Sequence, residues 1–143
     1  MGDMRKWTRD ERIAYVAGTA EGSRQKQAEI VEECCRLAVV GKLPRYHVDT
    51  EMGWYDGYRR DVPIAPAPPS LAGDVALELL HRVSAQREAL GTQPPPFAAA
   101  YSDTPTGRVY VLRSGDCGSD VGAIARRYGG DGDAREATFE VRR

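Results

Sequence analysis

At 143 residues and 15.7 kDa the chain is long enough for one ordinary domain with one core and too short for two comfortable ones. Its 20 Lys and Arg nearly balance its 21 Asp and Glu, which excludes a general attraction to nucleic acid or anionic membrane, so any nucleotide contact must be local. No apolar run approaches the roughly 20 residues that span a bilayer, and the polar start MGDMRKWTRDER lacks the apolar stretch of a signal peptide; a cytoplasmic protein with no membrane partner is expected.

Residues 1–19 are mixed and polar, with Ile13, Tyr15 and Val16 as anchors of a short ordered piece. From residue 21 to 40 the apolar side chains Ile30, Cys34, Leu37 and Ala38 recur at three-to-four-residue spacings between Glu29, Glu32, Glu33 and Arg36, which predicts an N-terminal amphipathic helix ended by Gly41 and Pro44. The next stretch, RYHVDTEMGWYDGYRRDVPIAPAPPS, is rich in aromatics and turn-formers. Residues 46–49 suit a short strand. Trp54, Tyr55 and Tyr58 suit packing onto the domain or an interface, and with Arg59 and Arg60 beside them they also suit base stacking and phosphate pairing. Residues 61–65 alternate Val62 and Ile64 as a strand, which Pro63 places at an edge or at its own start.

Ser70 can cap a second helix whose wide apolar face is Leu71, Val75, Leu79 and Val83, with Ala72, Ala76 and Leu80 alongside, ending before Gly91. The segment TQPPP reads as a stiff connection. Residues 97–101 and 108–113 read as strands joined by the turn SDTPTG, and the alternation in RVYVLR fits cover on both faces. Ser119 can cap a third helix with the stripe Val121, Ile124, Ala125 and Tyr128; Gly129 stands where a left-handed C-terminal residue belongs, and residues 137–141 form a last strand. The expected fold is α/β (α+β): a single domain with an N-terminal helix and aromatic-rich segment over residues 1–60. Residues 61–143 then carry a split βαββαβ order in a small mixed sheet, with helices over one side.

The chain offers no evident catalytic constellation. His47 and His81 are isolated, and no HExxH, G-x-S-x-G or Walker lysine is present. Cys34, Cys35 and Cys117 fit neither a disulfide framework nor a C-x-x-C pair and are expected as free thiols. Asp116, Asp120, Asp131, Asp133 and Glu136 can be read as ligands for a hard cation, but D-G-D-x-x-E is not a full calcium loop, and solvated turn acids are the plainer reading. No metal or cofactor is expected. The strongest candidate is residues 113–139, RSGDCGSDVGAIARRYGGDGDAREATF. Here Arg113 ends a strand, a helix start offers amides, and Gly129, Gly130 and Gly132 let a ligand come close to the backbone. The same glycines equally suit a tight helix-to-strand connection, and both readings stand open.

Residues 109–141, VYVLRSGDCGSDVGAIARRYGGDGDAREATFEV, resemble the C-terminal substrate-binding domain of the DHH phosphoesterase superfamily, the DHH-associated domain of nanoRNases and cyclic-dinucleotide phosphodiesterases. That family carries an Arg-Ser strand end, matched by Arg113 and Ser114. Its D-V-x-x-I-A helix is matched by Asp120, Val121, Ile124 and Ala125, and three glycines of its G-G-G-G-H turn by Gly129, Gly130 and Gly132. Residues 61–141 are similar to it at lower stringency. Asp133 replaces the family's phosphate-contacting histidine and Asp131 one glycine, two negative charges where a phosphate is expected. The family's A-A-G-F strand is altered to Glu136, Ala137, Thr138 and Phe139, and its Asp-His-His metal domain has no counterpart.

The resemblance implies a fold and a binding surface without a catalytic centre. The leading expectation is a non-catalytic module for a nucleotide, dinucleotide or oligonucleotide end, held by Arg113, Ser114, Ser119, Asp120, Gly129, Gly130, Gly132 and Asp133. The alternatives are a subunit completing a phosphoesterase whose metal domain is a separate partner, and an interaction module that has lost the site. A homodimer through the aromatic segment fits the first reading or the last.

Overall fold

The structure is a computed structural model that describes residues 24–44, 46–47, 54–55, 58–116 and 118–142. The reading of residues 1–19, Cys117, and the side chains of His47, Trp54 and Tyr55 lie outside what is described. The elements run α1 (Arg24–Arg36), β1 (Val39–Gly41), β2 (Tyr46–His47), β3 (Trp54–Tyr55), β4 (Val62–Pro66), a 3-10 turn (Pro69–Leu71) and α2 (Ala72–Ala89). They continue as β5 (Ala98–Thr104), β6 (Gly107–Arg113), α3 (Val121–Arg127), β7 (Asp131–Gly132) and β8 (Glu136–Arg142). Six strands form a mixed sheet in the order β1-β4-β5-β6-β8-β7, and β2 and β3 pair separately. The fold is α/β.

The sheet order corrects two expectations. β4 and β5 are direct parallel neighbours, Ile64 opposite Ala99, so the βαβ unit built by β4, α2 and β5 is not split; β6 and β8 then add antiparallel. The helices also cover both faces. Along β5, Ala98 and Ala100 join the core under α1 and α2, whereas Ala99 joins Tyr110, Leu112 and Phe139 under α3. Period-2 alternation divides the strand's small side chains between two cores, and that lets helices approach the sheet from either side. Val75 and Ala76 at 0 % and Leu79 at 3 % exposure form the buried stripe of α2; Val121, Ile124, Ala125 and Tyr128 form that of α3. Each fully buried Val or Leu among them contributes about 1.5–3 kcal/mol.

Helix ends show which local signals acted. α2 closes with Gly91 at φ +73 and Thr92 N–H donating to Arg87 O, and α3 closes with Gly129 at φ +86 and Gly130 N–H donating to Ala125 O. Both satisfy terminal carbonyls through a left-handed residue. The expected caps are corrected. Ser70 lies in the 3-10 turn, and α2 starts from Leu71 without a side-chain cap. Asp120, not Ser119, caps α3, its carboxylate accepting from Ala123 N–H at 3.1 Å. α1 stops at Arg36 rather than at Gly41, because Val39–Gly41 pairs antiparallel with β4 as an edge strand. Pro63 is consequently inside the sheet, but the parallel ladder with β5 begins only at Ile64, so its missing N–H is not needed there. Cys34 is fully buried, and burial pushes the Cys35 thiol up from its ordinary value.

Candidate functional site

A cleft of about 800 Å³ opens where the end of β6 meets the start of β8. Registers of Ala98 opposite Arg113 and Arg113 opposite Glu136 bring these ends together with the beginning of β5. One wall is α2, which presents Leu77, Leu80, His81 and Ser84 at the i, i+3, i+4, i+7 positions of one face. The opposite end is closed by Gln93, Pro94, Pro95 and Pro96. The connection read as a stiff linker is therefore a wall. It is held in place because Pro96 O accepts from Ser119 N–H at 3.0 Å.

Of the eight candidate residues, the structure brings Arg113, Ser114, Ser119 and Asp133 to this cleft, and Asp120, Gly129, Gly130 and Gly132 lie off it. Arg113 is 23 % exposed and pairs with the half-exposed Glu136, Nη1 to Oε2, at 2.8 Å. Ser114 ties two loops together: its N–H donates to Arg135 O at 2.9 Å and its hydroxyl to Ala134 O at 2.8 Å. The Ser119 hydroxyl stands 3.4 Å from the Tyr58 hydroxyl. The helix-start amides expected to face a ligand are engaged within the protein, Ser119 N–H with Pro96 O and Val121 N–H with Ala134 O. A seven-residue helix with its first amides so occupied is not an anion cradle.

The glycine turn is a packing device. A Cβ on Gly130 would stand 2.1 Å from Thr138 O, and one on Gly132 would stand 2.4 Å from Ala137, so both let the turn lie directly on β8. Arg126 donates to Gly132 O at 3.1 Å and helps fasten it. Of the two readings open in the sequence, the helix-to-strand connection is the one this geometry serves.

The acids do not converge on a cation position. Asp116 pairs with Arg135, Asp131 lies 3.9 Å from Arg126, Asp120 caps α3 and Glu136 pairs with Arg113. Among the described residues no group of three His, Cys, Asp or Glu is placed to hold a metal ion.

Asp133 organises its own hairpin turn. Its Oδ1 accepts from Arg135 N–H and from Glu136 N–H, each at 2.9 Å, while its own N–H donates to Glu136 O at 2.8 Å. The two N–H donors hold its carboxyl below the ordinary value of 3.8, helped by the nearby charges of Arg113 and Arg135. A carboxyl depressed on folding stabilises the fold above its unfolded pKa and loses that contribution as pH falls through the folded value. The melting temperature of Asp133→Ala is therefore expected to lie below that of the parent at neutral pH, and the gap should narrow as the pH is taken down below the ordinary carboxylate range, as thermal melts across acidic pH would show.

Several cleft residues carried no distinguishing signal in the sequence: Leu77 and Ser84 look like ordinary helix positions, and Arg135 like a solvated turn residue. Arg60, singled out only beside the aromatic cluster, comes to the same cleft as Arg113 because it lies two residues before the start of β4. Compared with known proteins, the chain matches no family model and no curated sequence.

Proposed function

We propose that the chain is a non-catalytic binding module that takes a nucleotide, a dinucleotide or the phosphorylated end of an oligonucleotide in the cleft between α2 and the ends of β6 and β8. The observation that carries this reading is the convergence of Arg60 and Arg113, 53 residues apart in sequence, on one cleft of about 800 Å³. That volume lies within the range of small-ligand sites. An arginine fork is suited to phosphate oxygens, and Arg60 makes no ion pair with another described residue. The exposed ring of Pro94 at the rim of the cleft offers an apolar face to a base.

The resemblance of residues 109–141 to the DHH-associated domain points to the same ligand class, with one change of emphasis. Phosphate recognition rests on Arg113 and Arg60 rather than on the glycine turn, since the Asp133 carboxylate is ionised and engaged by backbone amides. Calorimetry with AMP and a 5′-phosphorylated dinucleotide tests the reading. Arg113→Ala and Arg60→Ala are each expected to weaken binding by about 10- to 100-fold, the effect of removing a charge-assisted hydrogen bond. Absence of binding by either ligand to the folded parent protein would remove the proposal.

A further inference from the structure

Arg113 already holds an anion. The Glu136 Oε2 that pairs with its Nη1 at 2.8 Å also lies over the first turn of α2, where a Cβ on Gly73 would be only 3.2 Å away, so the missing side chain leaves the carboxylate its place. We infer that Glu136 is the resident occupant of the cleft's anion position, an internal competitor that a ligand phosphate must displace from Arg113. This rests on the reading of the cleft as a phosphate-binding site.

Three observations support displacement over a fixed structural pair. The Arg113 side chain is only 23 % exposed and already gives Nη1 to Glu136, so a phosphate that takes that edge must exchange with the carboxylate, whereas Glu136 is 51 % exposed and can swing into water. An ion pair with so exposed a partner is worth about fivefold or less in an equilibrium constant, which makes exchange accessible. The backbone of Glu136 is fixed independently of its carboxylate, by its N–H to Asp133 Oδ1 and its O from Asp133 N–H, so the side chain can leave while the hairpin stays. The charges lining the cleft balance, Arg60, Arg113 and Arg135 against Asp116, Asp133 and Glu136, and displacement of Glu136 is what turns the Arg113 end positive.

Glu136→Gln keeps the shape and removes the charge. Calorimetry with AMP and with uncharged adenosine, on the parent and on E136Q, is the test. AMP is expected to bind E136Q about 2- to 5-fold more tightly than the parent, and adenosine to change by less than about 1.5-fold. In an Arg113→Ala background the gain for AMP should shrink, because no pair remains to be broken. If AMP binds the parent but E136Q leaves its affinity unchanged, or tightens adenosine equally, the competitor role is overturned and the binding module stands. If AMP binds neither protein, both fall.

Discussion

Phe139→Ala is expected to destabilise the protein by about 3–5 kcal/mol, the usual cost of emptying a buried aromatic position. Phe139 is 2 % exposed and forms the middle of a three-ring stack, 5.0 Å from the Tyr110 centroid and 4.1 Å from that of Tyr128. Tyr128 is the residue that caps the end of α3, Tyr110 is on β6 and Phe139 on β8, so one ring joins the end of the helix to two strands of the sheet. The Tyr128 hydroxyl extends the link, donating to Pro44 O at 2.7 Å and accepting from Tyr58 N–H at 3.2 Å. Removing the ring strips contacts from both neighbours and leaves a cavity that the flanking strands cannot close, because their register is fixed by seven paired residues between β6 and β8. A melting temperature roughly 10–15 °C below the parent is the expected result. Phe139→Leu, which keeps much of the volume, should lose far less.

Gly130→Ala is expected to cost about 2–4 kcal/mol for a different reason. The methyl would stand 2.1 Å from Thr138 O and 2.6 Å from Phe139 Cβ, so backbone must move rather than a side-chain tip. Moving it separates the turn after α3 from β8, and with it the β7–β8 hairpin that carries Asp133 and Glu136 into the cleft. Gly41→Ala is the control: a Cβ there meets nothing within 4 Å, and the change should stay within about 0.5 kcal/mol. Denaturant unfolding of the two variants against the parent separates the cases; equal stabilities for Gly130→Ala and the parent would contradict the packing account.

The helices were the legible part of the sequence. Val121, Ile124, Ala125 and Tyr128 all face the core as their spacing requires, and Gly91 and Gly129 end their helices in the left-handed conformation that glycine signals. Local pattern could not say which face of the sheet a helix covers, since α2 and α3 carry equally apolar stripes and only the alternation along β5 assigns them to opposite sides. Ser119 and Asp120 are adjacent residues of capping type, and the choice between them is made by contacts with Pro96, which is distant in sequence. β1 escaped notice because it has three residues with Val39 and Val40 exposed, at 62 % and 59 %, so no burial period marks it.

The candidate site was half legible for the same reason. Arg113, Ser114, Ser119 and Asp133 sit within one sequence neighbourhood that a local reading can find. Arg60, His81 and residues 93–96 reach the cleft only through the sheet register, which no local pattern encodes. Glycine clusters are ambiguous by nature, since close approach to a ligand and close approach to a neighbouring strand require the same missing Cβ. Here the neighbour is β8.

The central claim is that phosphate-bearing ligands enter the cleft lined by Arg113 and Arg60, and not the glycine turn. Amide-resolved NMR titration of the parent protein with AMP tests it most directly. The account predicts that the amides of Leu77, His81, Ser114, Gly115 and Arg135 shift with one binding isotherm while those of Gly129, Gly130 and Gly132 remain in place. Shifts concentrated at the glycine turn, or none anywhere at saturating AMP, would contradict it.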